Sequence, residues 1–373
     1  MIALNETEKK WVDEMWERLD KKLSKTCISA RGKLPYTTVN GVFDDKQGEN
    51  VSWWTNGFWG GLMWLMYVGT KNEEYRKTAE VTEELLDKAL ENFFGLHHDV
   101  GFMWNLTAGV NFRLTGNERS HARFMTAASI LASRYNTKGG FIRAWNGDGH
   151  EGWAIIDCMM NIPLLYRAAV DSKDDRFRYI AESHAEKTQK FHVRPDGSVN
   201  HINEYDPETG ELVKTFGGQG YGEGSSWSRG QAWALYGFVL SFIHTGKQEY
   251  LDTAKRVAHY FIAAVCDDYL PKSDFRSPEE PMIYDSTAGM IAACGLIEIA
   301  KAVPEFESRL YQNAAMKLLH ATEEAFADWT DKEESILRCG SESYHGNNFP
   351  IIYADYYFAE AIYKLKGFDM LFW

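Results

Sequence analysis

Two carboxylates stand where a chain has little reason to place a charge: Asp99, in His97-His98-Asp99-Val100-Gly101-Phe102, and Asp157, in Ala154-Ile155-Ile156-Asp157-Cys158-Met159-Met160. A carboxylate among apolar groups is poorly solvated, so its proton affinity rises, and a second carboxylate nearby raises it further. Such a pair can do acid–base work near neutral pH. Asp157 also has a second reading. The apolar run after it reads as a helix and Asp is a favoured N-cap, so capping and chemistry both stand open at this point.

Other chemistries find less support. His97-His98-Asp99 could suggest a metal, but adjacent histidines tend to diverge and no H-E-x-x-H spacing accompanies them, so no metal or cofactor is expected. The stretch Gly217-Gly218-Gln219-Gly220-Tyr221-Gly222-Glu223-Gly224-Ser225 lacks the G-K-[S/T] ending of a phosphate-binding loop and reads as a close-fitting loop. There is no Gly-x-Ser-x-Gly elbow and no recognisable nucleophilic cysteine. Arg229 is flanked by Trp227 and Trp233 and opens an apolar helix, which favours a clamp for a ligand carboxylate over a plain surface arginine.

The elements that must carry these residues sort into two kinds. Polar, amphipathic helices are predicted over about residues 7 to 24, 73 to 93, 118 to 135, 174 to 191, 247 to 266 and 306 to 327. Between them lie segments apolar nearly all round: Asn56 to Leu62, the helix after Trp104, Asp157 to Ala169, Arg229 to Ile243, Asp285 to Ala300, and Ala354 to Leu365. A helix hydrophobic on every side belongs inside. Six exposed helices alternating with six buried ones is an internal repeat of helical hairpins, and its economical closed form is an all-α (α/α)6 barrel. Strand signals are short, at Phe141 to Trp145 and Val199 to Tyr205. Asn56, Asp157, Arg229, Asp285 and Asp355 open inner helices, and Asp99 and Trp145 precede them, so all should face one end of the barrel. Helix N-termini there would suit a carboxylate-bearing ligand.

Composition agrees. The 373 residues are 45% hydrophobic and 25% charged, without a linker or low-complexity tract, and residues 1–373 read as one domain. A net charge of -13 and the lack of a basic run oppose nucleic-acid binding. The 13 Trp, 19 Tyr and 21 Phe exceed what a helical core requires, and aromatic faces stack well on sugar rings. Met1-Ile2-Ala3-Leu4-Asn5-Glu6 lacks the pattern of a signal peptide, and no apolar run reaches membrane-spanning length. Five scattered cysteines suggest neither disulfides nor zinc, so the cytoplasm is the expected compartment.

Four motifs, in order, carry a resemblance: W-T-N-G-F-W (Trp54 to Trp59), H-H-D-x-G-F (His97 to Phe102), I-I-D-C-M-M-N-I-P-L-L (Ile155 to Leu165), and Gln219 followed by G-S-S-W-S-R-G-Q-A-W (Gly224 to Trp233). Together with a last match at Ala354 to Ala361, they resemble the unsaturated glucuronyl hydrolases of glycoside hydrolase family 88. The resemblance implies an (α/α)6 barrel, no metal, and as partners the di- or oligosaccharides made by polysaccharide lyases, whose terminal uronate carries a C4=C5 double bond. It implies that Asp157 is the general acid/base and Asp99 its partner carboxylate, with Trp54, His98, Trp145, Gln219, Arg229, Trp233 and His201 at substrate-contact positions. Trp227, beside Arg229, is placed with them.

The chain also departs from that pattern. Gly218-Gln219-Gly220 stands where relatives often have His-Gln-Gly, and the segment 341–349 lacks a serine-and-lysine cluster that resembles sulfate recognition in some members. Unsulfated or lightly sulfated glycosaminoglycan disaccharides are therefore the expected substrates. Competing readings are an unsaturated rhamnogalacturonyl hydrolase, a two-carboxylate glycosidase on the same barrel, a carbohydrate-binding protein without catalysis, and a helical-repeat scaffold. A binding module gains little from burying two acids, and a scaffold would show its aromatics on exposed faces.

Overall fold

Helices that are apolar all round must be buried, and helices apolar on one side must cover them. The computed structural model, which describes residues 4–373, meets both demands with alternating layers. The outward helices are α1 (Glu6–Ser29), α3 (Glu73–Leu85), α5 (Glu118–Ser133), α7 (Asp175–Phe191), α9 (Gln248–Ala264) and α11 (Glu305–Phe326). The inner ones are α2 (Phe58–Thr70), α4 (residues 100–115), α6 (Pro163–Ser172), α8 (Ser228–Thr245), α10 (Ser286–Ala302) and α12 (Ile352–Leu365). Each inner helix packs on the next, and α12 returns to α2, so the ring closes as an (α/α)6 barrel.

Sequence chemistry explains most boundaries. Asn5, Asn72, Asn117 and Asp174 cap α1, α3, α5 and α7 with side-chain oxygens that accept backbone N–H groups. The inner helices are buried along almost their whole length, including Phe58–Met66 of α2 and all of α12. In α4 the regular turns Val100–Trp104 and Val110–Thr115 are joined by a π turn at Asn105–Gly109, which the periodicity does not reveal.

One boundary differs in a way that matters. No α-helix starts at Asp157: Ile156–Met160 is a tight 3-10 turn, and α6 begins at Pro163. Proline has no N–H to return to the carbonyl four residues earlier, so an α-helical ladder cannot run through it from Met159. Asp157 makes no capping hydrogen bond, which removes the N-cap reading.

Strands are short and serve the connections. Trp153–Ile155, Ile202–Tyr205 and Leu212–Phe216 form one antiparallel sheet, and Gly340–Ser341 pairs with Asn347–Phe349. The signal at Phe141 to Trp145 yields only Phe141–Ile142, paired with Tyr135–Asn136. Asp355 is wholly buried and accepts hydrogen bonds from Ser335 Oγ (2.8 Å), Ile336 N (3.0 Å) and Leu337 N (2.8 Å), fastening that segment to α12. Residues Met1-Ile2-Ala3, part of the expected leaderless start, lie outside the described residues. Among the described residues no helix is long and apolar enough to cross a membrane.

Candidate active site

The connections entering α2, α4 and α6 converge on one cavity of 280 Å³, whose wall holds Asp99 and Asp157 together. Trp53 and Trp54 come from the turn before α2, His97, His98 and Asp99 from the approach to α4, and Asp157 from the 3-10 turn before α6. Trp145, Gln219 and Glu342 complete the wall from loops. A larger groove of 590 Å³, between the start of α1 and the α10–α11 turn, is lined by polar and small residues with no aromatic ring to stack a sugar.

Asp99 is 7% exposed, and its environment corrects the expectation that burial raises its proton affinity. Burial does push that way, but His98, His97 and the Asn161 amide outweigh it and hold the carboxyl below its ordinary value. Asp99 is therefore ionised at neutral pH. The two histidines do not diverge as adjacent residues were expected to: His97 Nδ1 and His98 Nε2 each lie 3.3 Å from Asp99 Oδ2. Burial, partly opposed by Asp99, lowers the pKa of His97 to about 4, which leaves that ring neutral at pH 7. Asn161 Nδ2 donates to Asp99 Oδ1 and to the Asp157 carbonyl oxygen, 3.0 Å each, so one amide ties the two acidic segments together.

Asp157 is differently placed. Its Oδ2 is buried and accepts no hydrogen bond within the protein. The nearest cation-capable group is His201 Nε2, 3.6 Å away. His201 Nδ1 accepts the Gln219 backbone N–H (3.0 Å), so a neutral ring carries its proton on Nε2, the side facing Asp157. This arrangement accounts for Gly218. Its φ is +58°, and a Cβ there would lie 1.9 Å from His201 Nδ1, so any side chain at 218 would displace the histidine.

Arg229, Trp227, Trp233 and His201 stand behind the cavity wall. Arg229 is 1% exposed, its guanidinium lies 4.4 Å from the Trp227 ring centroid and 5.3 Å from that of Tyr353, and its N–H groups donate to the carbonyls of Ser341 and Glu342. Burial opposes its charge, but Tyr353, Asp285 and Asp157 together raise its pKa. Its direct contacts pin the 340–349 hairpin rather than face the opening. Trp233 packs on Phe102 at 5.1 Å, and Phe102 on Trp54 at 5.2 Å, so it supports the stacking wall from beneath. Asp285 caps α10 and lies 3.7 Å from Arg229; neither it nor Asp355 lines the cavity.

Trp53, His97, Ile155 and Glu342 line the cavity without having been singled out as site residues. Trp53 adjoins the motif that drew attention to Trp54, and His97 and Ile155 lie inside the motifs that carry Asp99 and Asp157. Glu342 falls in the 341–349 segment noted for its departure from the family pattern, but its place on the wall rests on distant contacts: Gln219 Nε2 donates to its carbonyl (2.6 Å) and Tyr36 Oη to its Oε2 (3.1 Å), across more than a hundred residues of chain.

Comparison with known proteins gives a consistent result. The family model described as Glycosyl Hydrolase Family 88 matches residues 30–272. The unsaturated glucuronyl hydrolase of Bacillus sp. strain GL1 is 39% identical over 324 residues, 84% of this chain and 86% of that protein. The unsaturated chondroitin disaccharide hydrolase of Streptococcus pneumoniae is 33% identical over 331 residues, 86% of this chain and 83% of that one. Among solved structures, the unsaturated glucuronyl hydrolase of Streptococcus agalactiae superposes with a TM-score of 0.91 at 29% identity, covering 100% of this chain and 95% of the other. With a family model spanning most of the chain and relatives this similar across it, the protein belongs to glycoside hydrolase family 88.

Proposed function

We propose that this chain releases the terminal C4=C5 unsaturated uronate from lyase-generated, glycosaminoglycan-type oligosaccharides, with Asp157 as general acid and base and Asp99 as its ionised partner. The observation that carries this reading is the Asp157 Oδ2: a buried carboxylate oxygen with no hydrogen-bond partner within the protein, on the wall of a tryptophan-lined cavity that also holds Asp99. The alkene of such a uronate is an enol ether. Protonation at C4 by Asp157 places positive charge on C5, shared by the ring oxygen, and the charge of Asp99 stabilises it. Asp157, now ionised, takes a proton from the water that attacks C5. The resulting hemiketal opens and the aglycone leaves. Trp54 and Trp145 stack on the sugar rings, Gln219 and His98 supply polar contacts, and His201 faces Asp157 from behind the wall. Arg229 contributes its charge from behind the wall and holds the Glu342 hairpin. The five cysteines are free, which suits the reducing cytoplasm as the compartment.

The test is a comparison of matched substrates. Unsaturated disaccharides are expected to lose their ultraviolet alkene band while saturated counterparts stay intact. Equal cleavage of both would instead establish a two-carboxylate glycosidase acting at the anomeric carbon.

The same wall predicts selectivity. It holds the acids Asp99, Asp157 and Glu342 and no Lys or Arg, so a sulfate on the neighbouring sugar meets negative charge with no cation on the wall to pair with it. Unsulfated disaccharides are expected to show higher kcat/KM than sulfated ones at one ionic strength, and Glu342→Gln to narrow that gap by roughly three- to tenfold. A sulfated substrate preferred by the native protein would refute this prediction.

A further inference from the structure

Asp99 Oδ2, His97 Nδ1 and His98 Nε2 sit on three consecutive residues, and these donor atoms lie within 4.8 Å of one another on the cavity wall. Each nitrogen is 3.3 Å from the carboxylate oxygen, and His97 Nδ1 is buried without a hydrogen-bond partner. Charge-assisted hydrogen bonds between such groups close to about 2.7–2.9 Å. The two nitrogen–oxygen separations of 3.3 Å instead match two edges of a tetrahedron whose corners lie about 2.0–2.1 Å from its centre, the distance at which imidazole nitrogen and carboxylate oxygen bind zinc. We propose that His97, His98 and Asp99 form a binding site for a divalent transition ion of the zinc or cobalt type, whose fourth position opens into the cavity, and that the bound ion inhibits the enzyme. Two imidazoles and one carboxylate suit such ions, whereas magnesium and calcium prefer all-oxygen sets. Inhibition follows from charge: an ion on Asp99 cancels the negative charge that stabilises the C5 cation and occupies the wall where the uronate lies. This second consequence rests on the function proposed above; the binding itself does not.

The experiment therefore reads binding and activity separately. Metal-free protein titrated with Co²⁺ is expected to develop the saturable visible absorption of a four-coordinate cobalt centre, which Zn²⁺ then displaces. Zn²⁺ is expected to lower turnover of an unsaturated disaccharide by roughly tenfold or more, and EDTA to restore it. His97→Ala, at a side chain already 23% exposed, and Asp99→Asn should each weaken cobalt binding on the order of 10- to 100-fold. Cys266→Ser, which removes the exposed thiol, should leave binding unchanged. A missing cobalt spectrum, or one indifferent to His97→Ala, overturns the site. The expected spectrum with undiminished turnover overturns the inhibitory role alone. A normal spectrum in a protein inactive on every unsaturated substrate supports the site and counts against the proposed function.

Discussion

Replacing Asp157 by asparagine is expected to lower turnover of unsaturated disaccharides by about a hundredfold or more while leaving folding and substrate binding intact. A hundredfold corresponds to about 2.7 kcal/mol of transition-state stabilisation, a reasonable demand on one positioned proton donor. The amide has nearly the shape of the carboxyl, and Oδ2 accepts no hydrogen bond within the protein, so the substitution breaks no contact that holds the 3-10 turn. What it removes is the ability to give a proton to C4 and take one from water. The measurement is kcat and KM on one unsaturated disaccharide together with the thermal midpoint. A variant that loses melting temperature but keeps kcat would mean that Asp157 is a structural residue.

The barrel was legible because its signal is local. An inner helix such as α12, buried from Ile352 to Leu365, has no polar face, and an outer helix such as α3 opens with an Asn cap and a charged face; both show within one window of sequence. The two acids were legible for the same reason, as charges inside apolar runs. Their environments were not. The low proton affinity of Asp99 depends on where two imidazoles and the amide of Asn161 point, and Asn161 is 62 residues away. The open start of α6 depended on Pro163, six residues beyond Asp157, which cuts the helix from the turn that holds the acid. Glu342 was read only as part of the 341–349 segment, not as a residue of the cavity wall. It reaches the cavity because Arg229 and Gln219, more than a hundred residues earlier, bind the backbone of its hairpin. Arg229 stands out in sequence as a cation opening an apolar helix, but its backbone partners, the carbonyls of Ser341 and Glu342, are invisible there.

Asp99→Asn is expected to cut turnover and to change the acidic limb of the pH–rate profile, and the two effects have one cause. His98, His97 and Asn161 hold the Asp99 carboxyl below its ordinary range against the opposing effect of burial, so the ionised form persists to lower pH than a free aspartate would allow. The rate contribution of that charge is complete above the lowered pKa and disappears as pH falls through it. In the native protein the acidic limb therefore includes the titration of Asp99, coupled to that of its neighbours. Asparagine has no charge to lose, so this component vanishes from the profile, and the C5 cation forms without the Asp99 charge at every pH. The expected loss at neutral pH is on the order of tenfold to a hundredfold, smaller than for Asp157 because the proton donor itself remains. The experiment is kcat/KM measured for both proteins from pH 8 down to below the ordinary aspartate value of 3.8, with the fold checked at each end. A variant slower by the same factor throughout, its acidic limb unmoved, would show that Asp99 positions Asn161 and the Asp157 turn without contributing charge. A limb that moves together with the rate identifies the ionised carboxylate as the working form.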